Sequence, residues 1–225
     1  MSRRARALVV ALVVLVALGG VAAWYLTSGS DPQGPALPAR TSGGTGAGAT
    51  SADGRWTVAE DGSFVGYRIS ERFVGGLADI EAVGRTSDVR GGLTVEGRAA
   101  RSVSIEADLG TLTSDKAPRD NYLTTNALET GTFPTARFVA SGPIDLPVLT
   151  RGEEFERTIE GVLTLHGVTR PLSLPVTARW DGTAVFVIGT APIVLADYGI
   201  ATPQTPVVSV QDRGSLEIQL VLRRS

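Results

Sequence analysis

Ile159-Glu160-Gly161-Val162-Leu163-Thr164-Leu165-His166-Gly167-Val168-Thr169-Arg170-Pro171-Leu172-Ser173-Leu174-Pro175-Val176 decides the fold, because its side chains repeat every two residues. Ile159, Gly161, Leu163 and Leu165 fall on one side, opposite Glu160, Thr164 and His166. After His166-Gly167, the apolar set Leu172, Leu174, Val176, Ala178 and Trp180 alternates with Ser173, Pro175, Thr177 and Arg179. A period of two belongs to a strand with one dry and one wet face, and a glycine between two such runs marks a reversal. The same alternation returns at 103–109 and 216–222, and more weakly at 63–69, 82–87, 92–96, 136–141 and 184–189. Gly91-Gly92, Gly142-Pro143 and Asp181-Gly182 supply further turns. A short helix is expected over 119–129, where 121–128 is the only stretch that is neither strand-like nor rich in breakers. Eight or nine strands joined by short loops are mostly antiparallel, and in this length of chain they close into a barrel or stack as a sandwich. Periodicity leaves both open.

Upstream of this region the chain changes character. Arg3, Arg4 and Arg6 precede an uncharged apolar run, 7–26, that ends in Trp24, Tyr25 and Leu26. Such a run is long enough for one membrane-crossing helix, and the basic flank predicts a cytoplasmic stub at 1–6 with the rest of the chain across the membrane. The small residues Val21 and Ala23 before Trp24 also fit a signal-peptide cleavage site, which would release the remainder as a secreted protein. Either way the domain is extracytoplasmic. Residues 27–54 are mostly Gly, Ser, Thr, Ala and Pro, a composition that buries too little apolar surface to fold alone and predicts a flexible tether. The expected organisation is therefore stub 1–6, signal anchor 7–26, linker 27–54 and a β domain at 55–225.

Composition removes several classes of function. With 43% hydrophobic and 20% charged residues and a net charge of −2, the chain can build a core and lacks the basic excess that nucleic acid demands. Cysteine is absent, so disulfides, thiolate metal sites and thiol nucleophiles are excluded. There is one histidine, one methionine and one lysine, Lys116. Neither a Ser–His–Asp pattern, nor catalytic carboxylate pairing, nor metal-ligand spacing accompanies His166, so the expectation is a protein that is not an enzyme. Glu153, Glu154 and Glu156 with Arg151 and Arg157 read as a solvated hairpin tip, since no calcium-loop pattern surrounds them.

The quoted stretch resembles the hallmark of the YceI family, in which a strand reading Gly-x-Leu-Thr-x-His-Gly-Val-Thr turns directly into its partner. Arg119-Asp120-Asn121-Tyr122-Leu123 and Phe133-Pro134-Thr135-Ala136-Arg137-Phe138 are similar to two earlier family segments, and Ala196-Asp197-Tyr198-Gly199-Ile200 to a later one. One departure is at Ile69-Ser70-Glu71-Arg72-Phe73, where many members carry a histidine. The resemblance implies a lipocalin-like closed antiparallel β-barrel of about eight strands with a short helix. It also implies a long pocket for an isoprenoid lipid, a polyprenyl chain or a prenylated quinone, held without covalent attachment.

On that basis Tyr67, Phe73, Leu77, Ile105, Tyr122 and Phe138 are candidates to line the pocket from the first half of the domain. Leu163, Leu165, Leu174, Val176, Phe186 and Ile200 are the candidates from the second half. Arg119, Asp120 and His166 are candidate head-group contacts, each with a structural alternative: Asp120 capping the short helix, Arg119 paired to it, and His166 bonded within its turn. Because an alternating apolar stripe looks the same around a tunnel and around a solid core, a cell-envelope protein-interaction module without a lipid is the competing expectation.

Overall fold

The computed structural model describes residues 33–39, 51–73, 79–203 and 208–225. The strands are β1 (Gly54–Val58), β2 (Phe64–Phe73), β3 (Asp79–Thr86), β4 (Val89–Glu96), β5 (Ala99–Asp108), β6 (Thr113–Ser114), β7 (Thr135–Ala140), β8 (Ile144–Asp145), β9 (Glu154–Leu165), β10 (Val168–Trp180), β11 (Ala184–Val194) and β12 (Val208–Arg224). One short helix, α1 (Ala117–Tyr122), runs on into a π-helical turn at Leu123–Ala127, and a 3-10 turn at Leu195–Tyr198 follows β11. Proline in the first turn of α1 suits a helix start, where its missing N–H costs nothing.

The sheet closes on itself. β12 pairs β11 on one side, and on the other it pairs β2 from Val208↔Phe73 to Gln219↔Phe64 and then β1 from Leu222↔Val58 to Arg224↔Trp56. β1 and β2 therefore act as one interrupted strand. β3 and β4 do likewise, β3 lying against β2 and β4 against both β1 and β5. Continuing through β5, β7, β9, β10 and β11 back to β12, every pairing is antiparallel and the ring has eight members. This is the eight-strand antiparallel barrel with a short helix, and it decides between the two architectures that periodicity left open.

The β9–β10 hairpin carries the alternation read from sequence. Leu163 pairs with Arg170 and Leu165 with Val168, leaving His166-Gly167 as a two-residue turn with both φ angles positive, at 50° and 72°. That is the reversal whose twist matches antiparallel strands. Gly161, Leu163, Leu165, Leu172, Leu174, Val176 and Ala178 are buried, while Val162, Ser173 and Pro175 between them are exposed. At the opposite end Trp56 is fully buried, its indole N–H donating to the Ala52 carbonyl at 2.8 Å.

Alternation fails at Arg179 and Glu217, which are buried on the outer face. At Arg179 the cause lies in the segment expected to be a loose tether. Residues 33–39 lie along the barrel wall: the Ala36 N–H donates to Gln219 Oε1 at 3.0 Å, Arg179 donates to the Pro38 carbonyl at 2.6 Å, and Arg85 donates to the Gln33 carbonyl. Pro35 and Leu37 are half-buried, Leu37 in a groove with Phe186, Ile188 and Val221. Arg179 is further held by Glu154 at 3.1 Å and stacks over Phe186. Glu217 takes Arg68 at 2.7 Å and Arg85 at 3.2 Å. The apolar run 7–26 and most of the linker lie outside the described residues, and among the described residues no helix is long and apolar enough to cross a membrane.

Docking of 33–39 predicts that Leu37→Asp lowers the stability of the chain by about 1 kcal/mol, half of a fully buried leucine. Urea unfolding gives the midpoint, and hydrogen exchange should quicken on β10–β12 around Arg179 and Gln219. An unchanged midpoint with unchanged exchange would mean that the strap adds nothing to the barrel.

Candidate functional site

The end of the barrel at which β9 turns into β10 is built differently from the other. β5 stops at Asp108 and β7 starts beside it at Thr135, so between β3 and β9 the wall is supplied by 109–134. This segment contains β6, which pairs with β3, then α1 and the π-helical turn. Their apolar side chains complete the enclosure: Leu112, Tyr122, Leu123, Ala127 and Leu128 face Val65 and Ile69 of β2, Leu163 and Leu165 of β9, Ile193, Ile200 and Leu216. They surround a cavity of about 150 Å³ whose wall is almost wholly apolar. A dry cavity of that size holds a benzene-sized group. A second interior space of about 70 Å³, walled by Val95, Val103, Ile159, Val176, Trp180 and Val187 among others, occupies the opposite end.

One buried ion pair fastens the helical wall to the barrel. Arg119 of α1 grips Glu71 of β2 through two bonds, Nε to Oε1 at 2.8 Å and Nη2 to Oε2 at 3.1 Å, and also meets Asp115. Both side chains are less than a tenth exposed. Bidentate geometry makes such a pair strong and directional, and removing one partner leaves a buried charge uncompensated. Asp120 accepts from the N–H and hydroxyl of Ser114 at 2.9 and 2.6 Å, tying α1 to β6 rather than capping its own helix. Tyr67 lies on the same face of β2 as Glu71, and burial pushes its phenol pKa well above the usual range.

The candidate residues separate clearly by position. Tyr67, Tyr122, Leu163, Leu165, Ile200 and Arg119 line the larger cavity. Val176 lines the smaller one. Phe138 and Leu174 are buried in the core and Ile105 packs against it, without lining either space. Phe186 faces outward under Arg179, because Val185 and Val187 on either side of it turn inward. Leu77 and the Phe73 side chain lie outside the described residues. His166 is not on the cavity wall: Nδ1 meets the Tyr198 carbonyl at 3.1 Å, Nε2 meets Glu129 at 3.0 Å, and the ring packs edge-on to Phe133. Glu71, Leu112, Leu123 and Leu128 were not foreseen from sequence, since they come from a strand stretch of mixed polarity and from a segment with no clear period.

The chain spans about half the length of the curated relatives first matched: a UPF0312 protein of Pseudomonas savastanoi pv. phaseolicola is 30% identical over 46% of this chain and 55% of its own. One from Shewanella sp. (strain W3-18-1) is 29% identical over 56% of this chain and 68% of its own. Among solved structures, a polyisoprenoid binding domain from Saccharophagus degradans implicated in plant cell wall breakdown aligns with a TM-score of 0.58 at 16% identity, covering 76% of this chain and 98% of that one. Burkholderia cenocepacia BcnA aligns with a TM-score of 0.55 at 19% identity, over 73% and 98%. At such identities the likeness is one of fold. The model of the YceI-like domain matches residues 56–222, and the chain belongs to that family.

Different costs are expected for substitutions on and off the cavity wall. Leu174→Phe should overpack the core and cost about 1–3 kcal/mol, whereas Leu163→Phe can turn its ring into the cavity and should cost less. Arg119→Ala should cost about 3–5 kcal/mol by stranding Glu71, and urea midpoints of the three variants measure all of this. Equal losses at the two leucines would mean that no usable space adjoins Leu163.

Proposed function

We propose that this YceI-like protein binds an isoprenoid lipid, a polyprenyl chain or a prenylated quinone, as an extracytoplasmic carrier or reservoir that performs no covalent chemistry. The observation that carries this reading is the apolar-walled cavity beneath the α1 wall, in a closed barrel of a family whose fold is shared by a polyisoprenoid binding domain. Burial of apolar chain at about 25 cal/mol per Å² supplies affinity without a charged partner. Small-molecule pockets usually span about 300–1,000 Å³, so a long chain has to widen the interior. The wall at 109–134 is the part suited to give way, being joined to its surroundings by side chains and the short β6 ladder where the rest is continuous sheet.

Membrane tethering belongs to the same proposal. With 7–26 as a single-pass anchor and 33–39 docked on the barrel, six residues separate Leu26 from Gln33. Six residues reach about 20 Å at full extension, so the domain would ride close to the bilayer and its lipid supply. If the leader is cleaved instead, the same domain is secreted.

The test is native mass spectrometry and organic extraction of the full chain purified from bacterial membranes. A bound mass that matches a polyprenyl or prenylquinone species, and retention of the chain by membranes after an alkaline wash, are expected. A clean unliganded mass with no uptake of added polyprenol or prenylquinone would favour the solid-cored interaction module. A mature chain starting at Trp24 would overturn the anchor and leave the lipid reading intact.

A further inference from the structure

Two interior donors have no partner among the described residues: the Tyr67 hydroxyl in the larger cavity and the Trp180 indole N–H in the smaller one. Buried polar groups are nearly always paired, so each asks for an explanation. The larger space has room for a ring; the smaller, at about 70 Å³, has less than half the volume.

Tyr67 is also held in place. Tyr67 pairs with Gly84 of β3 on one side and Leu216 of β12 on the other. Its ring lies across Gly84, where a built Cβ would come within 2.4 Å of Cε1, so only glycine admits the ring in this position. The hydroxyl oxygen is thereby fixed on the cavity side of β2, with Ile69 and Glu71 next along the same face. Sealed from solvent, it cannot make up its missing bond with bulk water.

Resting on the lipid reading above, we infer that Tyr67 Oη donates a hydrogen bond to the polar head of the bound isoprenoid, and that the head it takes is an uncharged oxygen acceptor, a ring carbonyl rather than a phosphate. The charges of the wall exclude the anion. Arg119 is matched by Glu71 and Asp115, Arg68 by Glu81 and Glu217, and Lys116 lies 3.8 Å from Asp115. Every cation here already faces a carboxylate, and a phosphate would bring further negative charge with no counter-charge to meet it. A neutral carbonyl needs one donor, and the phenol, kept protonated by its burial, remains one at every physiological pH.

The experiment compares full-length protein with its Tyr67→Phe and Trp180→Phe variants, titrated with a prenylated benzoquinone, a headless isoprenoid hydrocarbon of equal chain length, and the corresponding polyprenyl phosphate. The parent should prefer the quinone over the hydrocarbon by about five- to tenfold. Tyr67→Phe should erase that preference with hydrocarbon affinity changed less than twofold, and Trp180→Phe should retain it. The bound quinone's carbonyl stretch should be lowered in the parent and not in Tyr67→Phe. The empty Tyr67→Phe protein should unfold at a urea concentration no lower than the parent, having lost only an unpaired hydroxyl. Failure of all three ligands to bind would overturn the lipid reading and this inference with it. Quinone binding with the preference intact in Tyr67→Phe, lost in Trp180→Phe, or exceeded by the phosphate would overturn this inference alone.

Discussion

Closure of the ring by β12 is the constraint on which the rest depends. A sheet that ends in open edges exposes a row of unpaired N–H and C=O groups, and this one avoids them by running a 17-residue strand past two shorter ones in succession, β2 and then β1. The inner faces of eight strands then converge on a single interior. Side chains at one end fill most of it, with Trp56 and Leu222 almost without exposure and about 70 Å³ left open beside Trp180. At the other end β5 and β7 stop short, and a helical segment must stand in for sheet. The cavity is thus a consequence of how the ring is completed: a wall made of α1 and a π-helical turn meets its neighbours side chain by side chain and leaves space that interdigitated strands would have filled.

The polar groups in that wall answer to the same geometry. A helix lying where a strand would be has no ladder to bind it, so the attachment passes through Glu71–Arg119 and through Asp120 on Ser114. The pair is costly to break one-sidedly and adds direction where apolar contact adds none. His166, the only imidazole, serves an analogous purpose outside: it links the β9–β10 turn to the Tyr198 carbonyl and to Glu129 at the far end of the helical wall. These contacts explain a conspicuous histidine without assigning it chemistry.

What could be read from sequence tracks one-sided burial. β9, β10 and the second half of β12 were legible because each has a dry face and a wet face, and the His166-Gly167 turn because only one reversal fits two adjoining alternating runs. β1 was not legible: five residues with a single fully buried side chain, Trp56, show no period. The strap escaped notice because Pro35 and Leu37 are its only half-buried residues and its hydrogen bonds to the barrel come from backbone, which no composition reveals. Its effect, the burial of Arg179, is likewise invisible in a pattern that assumes water outside. Tyr67 entered as a wall candidate through family resemblance, but the lack of a partner for its hydroxyl is a property of three dimensions.

The central claim is that an isoprenoid chain occupies the space under the α1 wall. The most direct measurement is of intermolecular nuclear Overhauser effects between the branch methyl groups of a bound isoprenoid and methyl-labelled protein. The account predicts cross-peaks to Leu123, Leu163, Leu165 and Leu216, with none to Leu37 on the outer face. Cross-peaks confined to the outer groove around Leu37 and Val221, or to exposed Val148, would contradict it.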